Sequence, residues 1–297
     1  MFLKRQEFYR SLTAFSPGLV ERVKKCVEDS EKRFQGKGSG QTGFLWEHTV
    51  LVASLAFRIA RGEKEDSNLA ALVGLLHDAG KFEEGRYHPR EEAEEEAAAR
   101  LARRVLEEAG LSVVAVGHVV RALRSLYNSG GRRNGLADIV HDADFLTKSG
   151  FLGVASFFMK STLRGRNLER SLVEFLSREL TYAASLPQNM RTETGRKMAA
   201  VKSQDTLRFY RSFLAELKRV HRADFKVRSY KTARPGRKGK QASLLLALPS
   251  VCGDCGGRWD VRVGTEKGVK CERSEAVVTC SSCRSSYTVS FCLPEIG

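Results

Sequence analysis

Leu75-Leu76-His77-Asp78-Ala79-Gly80-Lys81 is the stretch on which the reading of the chain turns. An apolar run from Leu69 to Leu76 leads into adjacent histidine and aspartate, and Gly80 closes the pattern. The run predicts a helix that begins near Asp66 or Ser67 and is stopped by Gly80. Neighbouring residues on a helix lie about 100° apart, so His77 and Asp78 can both reach one cation in front of the helix end. An imidazole nitrogen beside a carboxylate oxygen suits a divalent first-row metal. A lone pair of this kind is more often a buried histidine beside a capping carboxylate. This pair is not alone.

The 297 residues fit one large or two smaller domains, and 42% apolar with 29% charged is the balance of a globular protein. No apolar run approaches the length of a membrane span, and Met1-Phe2-Leu3-Lys4-Arg5 gives way to charges rather than to a signal stretch. The expectation is a cytoplasmic protein with no membrane partner. A net charge of +15 favours a polyanionic partner, nucleic acid before an acidic protein surface, over a merely basic exterior. Seven cysteines, six of them from Cys252 onward, argue against a disulfide framework and for a late metal site. Cys26 sits in a helical pattern as a small core residue.

Helical periodicity runs through the first three quarters of the chain. Residues 1–40 are expected to give two helices that pack on a core, the second opening at Ser16-Pro17 with serine as N-cap and proline as first helical residue. A helix from Phe44 to Arg61 places His48 beside its apolar stripe, where it reads as a boundary residue or a ligand. His88 stands at the start of a long helix that takes Pro89 as its first residue and ends at Gly110, with Glu91 to Glu96 complementing its positive end. His118 falls in a further helix from Val113 to Tyr127. Leu136 to Leu146 carries Asp138, His141, Asp142 and Asp144 within two turns; the first three share one side and Asp144 projects elsewhere. Groups that dense in an apolar helix are costly unless they meet a cation or solvent. Three more helices follow: Phe151–Leu163, Asn167–Leu186 and Thr192–Arg222.

Composition shifts near residue 223. Lys226 to Lys240 holds seven basic residues and no acidic one, interleaved with Tyr230, Pro235 and glycines, which reads as a linker or arm over 223–249 with a strand near Ser243–Leu248. From residue 250 the pattern is Cys252-x-x-Cys255, alternating Trp259-Val261-Val263, then Cys280-x-x-Cys283 and alternating Tyr287-Val289-Phe291. Two such knuckles, 24 residues apart, are a structural zinc pattern on a β-rich ribbon. Cys271 and Cys292 are left as small strand residues, with Cys271 an alternate ligand.

The order His48 … His77-Asp78 … Asp144 in a helical chain resembles the HD-domain metal-dependent phosphohydrolase superfamily over about residues 40–220. Ile139-Val-His-Asp-Ala-Asp144 with Gly150, Gly153-Val-Ala155, and Met190-Arg-Thr-Glu-Thr-Gly-Arg196 resemble one branch of small bacterial and archaeal HD hydrolases. The resemblance implies an all-α HD core over 41–222, followed by the arm and a small β-rich zinc ribbon over 250–297. It implies a divalent metal (Mn, Fe, Co, Ni or Mg) held by His48, His77, Asp78 and Asp144, with Asp142 as fallback ligand. His88 matches a second-metal histidine, and His118 is the other candidate. Ser125 and Leu126 stand where a later histidine is expected, which favours one tight metal.

On that reading Asp78 orients a water and Lys81 meets a phosphate, with Arg191, Arg196 and Lys197 as further phosphate contacts. The expected function is metal-assisted hydrolysis of a nucleotide or nucleic-acid phosphoester, with the basic arm touching RNA or DNA. The alternative is a nucleic-acid-binding protein whose HD core keeps its metal but is catalytically silent.

Overall fold

The computed structural model describes residues 7–35, 43–82, 93–126, 134–163, 165–221, 224–233, 241–267 and 272–292. Helices precede strands throughout, as the periodicity predicts. The chain forms two compact units, Met1–Thr147 with Met190–Gly195, and Lys148–Asn189 with Arg196–Gly297.

The first unit holds α1 (Glu7–Phe15), α2 (Leu19–Gln35), α3 (Phe44–Glu63), α4 (Ser67–Leu76), α5 (Glu94–Glu108), α6 (Val113–Ser125) and α7 (Gly135–Thr147). At its centre α3, α4 and α7 pack on one another. Asp66 opens α4 by accepting the N–H groups of Asn68 and Leu69, both at 2.9 Å, a cap worth about 1 kcal/mol. The next seven buried residues, Ala70 to Leu76, leave this helix no polar face. Gly74 lets it approach α3: a Cβ there would lie 2.9 Å from the Ala53 Cα.

Several helix ends differ from the sequence expectation. Gly80 does not stop α4, which ends at Leu76 with His77 as its C-cap. Two turns follow, Ala79 N–H to Leu76 O and Lys81 N–H to Asp78 O, each 3.0 Å. Glycine is required at position 80 because a Cβ would sit 2.6 Å from both the Ala98 nitrogen and the Glu94 carbonyl of α5. Helix α2 opens after Gly18, at φ 76°, rather than at Ser16-Pro17, which form the preceding turn. Extended Ala93 sets the start of α5 at Glu94; His88 and Pro89, expected at the helix start, lie outside the described residues.

The second unit comprises α8 (Gly150–Leu163), α9 (Leu168–Asn189), most of α10 (Glu193–His221), and strands β1 (Phe225–Ala233), β2 (Gln241–Pro249), β3 (Trp259–Lys267), β4 (Glu272–Cys280) and β5 (Ser286–Cys292). Helix α9 runs through Leu186-Pro187, read from the sequence as a break, and carries Pro187 in its last turn. The stretch read as an arm is instead an antiparallel hairpin, β1 with β2. Its reason lies in β2. Leu244, Leu246 and Leu248 pack on Ala276, Val278, Val289 and Phe291 of the antiparallel β3-β4-β5 sheet. Leu245 and Ala247, on the opposite face, join the cluster of α9 and α10. A strand buried on both faces is continuously apolar, as this one is. Its outer edge is closed by helix side chains: Leu245 N–H donates to Thr181 Oγ1 at 2.8 Å and Ala247 N–H to Ser177 Oγ at 2.9 Å. The sequence reading saw polarity in this segment and missed the partner that the run of leucines required.

Close helix packing makes a clear prediction. Gly74→Ala should cost about 1–3 kcal/mol by forcing α4 off α3. Gly117→Ala, whose Cβ meets nothing within 4 Å, should be neutral or stabilising by up to about 1 kcal/mol. Denaturant midpoints of the two variants check both.

Candidate metal centre

Three helices deliver the four side chains. His48 sits on α3, His77 caps α4 with Asp78 beside it, and Asp144 is on α7. His48 Nε2 lies 3.6 Å from Asp78 Oδ2 and 3.3 Å from Asp144 Oδ1. His77 Nε2 lies 3.6 Å from Asp78 Oδ1 and 4.0 Å from Asp144 Oδ1. Ligands bonded at about 2.1 Å to one ion stand roughly 3.0–3.5 Å apart, so the spacing fits a cation between them. His48, His77 and Asp78 could hold a metal ion, their ligand atoms all lying within 4.8 Å of one another.

The tautomer of His77 points the same way. Its Nδ1 donates to the Gly74 carbonyl at 2.8 Å, which leaves Nε2 with a lone pair. That atom is buried with no hydrogen-bond partner among the described residues. Burial pushes the His77 imidazolium toward losing its proton, against the pull of Asp78 and Asp144, so the ring is a neutral ligand. Burial works to raise the Asp78 carboxyl, but His77, Lys81 and His48 outweigh it and hold it well below the usual carboxylate range. Lys81 Nζ is 2.6 Å from Asp78 Oδ2. The side chains of His48 and Lys81, 14% and 19% exposed, form the side open to solvent.

The remaining sequence candidates fall elsewhere. Asp142, the fallback ligand, accepts from Arg191 N–H at 2.9 Å, Thr192 N–H at 2.8 Å and Thr192 Oγ1 at 2.7 Å, so its carboxylate is used in docking residues 190–195. Arg191, read as a phosphate contact, gives its guanidinium to Asp138 at 3.2 Å and to the Leu126 carbonyl at 3.1 Å. His118 is exposed on α6 and joins neither metal-type cluster found among the described residues. Arg196 is exposed on α10, in the second unit.

Two supports had no sequence reading at all. Glu31 of α2 caps α3 from a distance, accepting Gly43 N–H at 2.9 Å and Leu45 N–H at 3.2 Å. Its neighbour Ser30 donates to the Ala79 carbonyl at 2.9 Å, just beyond the His-Asp pair. Ser30 and Glu31 stand among many polar residues of α2, and nothing local in the sequence marks them.

The second cluster is Cys252, Cys255, Cys280 and Cys283, with sulfurs within 4.8 Å of one another. Cys252 and Cys283 sulfurs are 3.7 Å apart, Cys255 and Cys280 3.5 Å. Tetrahedral thiolates at about 2.3 Å from one ion would stand roughly 3.8 Å apart. Each knuckle turns through a left-handed residue after its second cysteine, Gly256 at φ 72° and Arg284 at φ 65°. Hydrogen bonding with the Ser285 side chain and backbone brings the Cys283 thiol down to about 6, favouring thiolate. Cys271 lies outside the described residues.

Two histidines and two aspartates thus converge from three packed helices. Residues 45–148 match the HD domain family, so this segment of the chain is an HD domain. Solved structures share the fold. YpgQ from Bacillus subtilis matches with 19% identity over 67% of this chain and 97% of its own, at a TM-score of 0.50; that protein has also been solved in complex with ADP. A predicted HD superfamily hydrolase from an uncultured Thermotogales bacterium matches with 24% identity over 67% of this chain and 90% of its own (TM-score 0.47). An HD-superfamily hydrolase from Bacillus thuringiensis gives 22% identity, 67% and 98% coverage and a TM-score of 0.49. No curated protein matches the sequence. No helix among the described residues is long and apolar enough to cross a membrane.

Asp142→Ala would leave three donors of residues 191–192 without their acceptor. The expected loss is about 1–3 kcal/mol of unfolding free energy. Urea denaturation measures it, and Asp142→Asn, which keeps one acceptor oxygen, should recover part of the loss.

Proposed function

We propose that the chain is a metal-dependent phosphohydrolase acting on a nucleotide or nucleic-acid phosphoester. The observation that carries this reading is the bare Nε2 of His77, buried among two carboxylates and a second imidazole at 3.3–4.0 Å spacings. His48, His77, Asp78 and Asp144 would hold one divalent ion, Mn, Fe, Co, Ni or Mg. Metal binding at such a set supplies an acidified water and a polarised phosphoryl oxygen.

The protein's own groups do the rest. Asp78, held anionic by its neighbours, accepts a proton or hydrogen bond from the attacking water. Lys81, already within 2.6 Å of Asp78, fixes that carboxylate and presents its ammonium to the anionic oxygens of a phosphate. Asp144 and His77 are buried and keep their orientation as substrate enters from the His48–Lys81 side. With Arg191 committed to Asp138, Lys81 is the phosphate-facing cation best supported in this unit. The four-cysteine cluster would take structural zinc, ordering a ribbon with too little core of its own.

Elemental analysis of the purified chain should find about one zinc and about one further divalent metal per molecule. His77→Ala and Asp78→Ala should lose the second metal and hydrolysis of nucleotide and oligonucleotide phosphoesters, while zinc remains. Lys81→Met should keep both metals yet lose about 10²-fold in kcat/KM. Full turnover in metal-loaded His77→Ala would refute the hydrolase reading and leave a binding protein with a silent HD core.

A further inference from the structure

The net charge of the chain is concentrated in one segment. Residues 196–240 contain fifteen Lys and Arg against three Asp and Glu, a net +12 out of +15 for all 297 residues. Residues 250–297, the ribbon, hold six of each sign and are neutral before any metal is counted. Its outward side chains mix Asp260, Arg262 and Glu275 with serine and threonine. The ribbon is therefore not the polyanion surface.

Within the basic segment, α10 buries Tyr210, Leu214 and Leu217 in the cluster it shares with α9. Arg208, Arg211 and Arg219 occupy the opposite, exposed face. At 100° per residue they fall within an arc of about 80°, along about 17 Å of helix. Asp205 pairs with Arg208, leaving Arg211 and Arg219 as the stripe's fully outward charges. Beyond α10, β1 adds exposed Lys226 and Arg228 on one face of the hairpin and exposed Lys231 on the other. Lysines on an edge strand also guard it against pairing with another chain, so β1 alone decides nothing. Arginines on a helix have no such task.

We infer that the exposed face of α10 and the adjoining strand β1 bind the phosphate backbone of duplex nucleic acid without reading its sequence. The chemistry favours this partner over a membrane, because the apolar face of α10 is already packed in the protein and offers lipid nothing to bury. Arginine's planar fork matches phosphate oxygens. Stacking platforms for splayed bases are missing among the described residues of this face: Phe209 and Phe213 pack against the core of this unit and Tyr230 against the ribbon sheet. The surface lies outside the HD site, and the inference stands apart from the hydrolase reading.

Fluorescence anisotropy of the full-length, zinc-loaded chain on two unrelated labelled 20-base-pair duplexes tests it. Both should bind with similar Kd, and log Kd should vary linearly with log salt. The triple variant Arg211→Gln, Arg219→Gln, Arg228→Gln should lower that slope by about 2–3 and weaken both duplexes alike. Arg258→Gln with Arg262→Gln on the ribbon should change neither quantity. An unaltered salt slope in the triple variant would overturn the inference. So would preferential binding of phosphatidylserine vesicles over duplex, or a strong preference for one duplex sequence.

Discussion

Burying two carboxylates and two imidazoles at one point is the constraint around which the first unit is built. The Lys81 ammonium is drawn to the Asp78 carboxylate. Such a cluster in an apolar surround costs several kcal/mol per uncompensated charge. Helix packing nevertheless forces it together. Gly74 admits α3 to near backbone contact at Ala53, and Gly80 admits the backbone of α5 at Ala98. A side chain at Gly74 would separate α4 from α3, the helices that position His77 and His48, and one at Gly80 would push α5 off the turn that follows Asp78. The fold thus gathers His48, His77 and Asp78 closely enough to hold a metal ion.

Buried acids elsewhere in this unit do a different job, and the contrast separates ligand from scaffold. Glu31 terminates α3 and Asp142 binds the backbone of residues 191–192. Both are satisfied by N–H donors at ordinary hydrogen-bond distances. Asp78 accepts from the Lys81 ammonium at 2.6 Å, and both Asp78 and Asp144 face imidazole nitrogens at 3.3–4.0 Å, too long for most of those pairs to be hydrogen bonds. Helix α7 contains both kinds two residues apart. Asp142 turns to the 190–195 segment and Asp144 to the cluster, as a rotation of about 200° between them requires.

Most of the site was legible because its signals are local. The adjacency of His77 and Asp78, the apolar run before them and the angular separation of Asp144 from Asp138 and Asp142 are all properties of a single helix. What was not legible depends on partners distant in sequence. Arg191 looks like a free cation until Asp138, 53 residues earlier, is placed beside it. Gly80 reads as a helix stop, yet its need is a neighbour's backbone. The hairpin was misread for the same reason. Its basic composition describes β1 and the loop, while the leucines of β2 answer to a sheet and a helix that the local pattern does not contain.

The second unit resolves a conflict that its composition creates. A segment carrying net +12 would ordinarily remain solvated, since self-repulsion opposes compaction. Here the charge is tolerated because the helix and the strand that bear it are each anchored by apolar packing or pairing. Helix α10 commits Tyr210, Leu214 and Leu217 to the α9 cluster. Strand β1 pairs along its whole length with β2, which is anchored on both faces and bonded at its outer edge to Ser177 and Thr181. The neutral ribbon packs its own apolar side on that same strand, β2. Folding therefore leaves Arg208, Arg211 and Arg219 of α10 and Lys226, Arg228 and Lys231 of β1 exposed, where repulsion among them is relieved by solvent, salt or a bound polyanion.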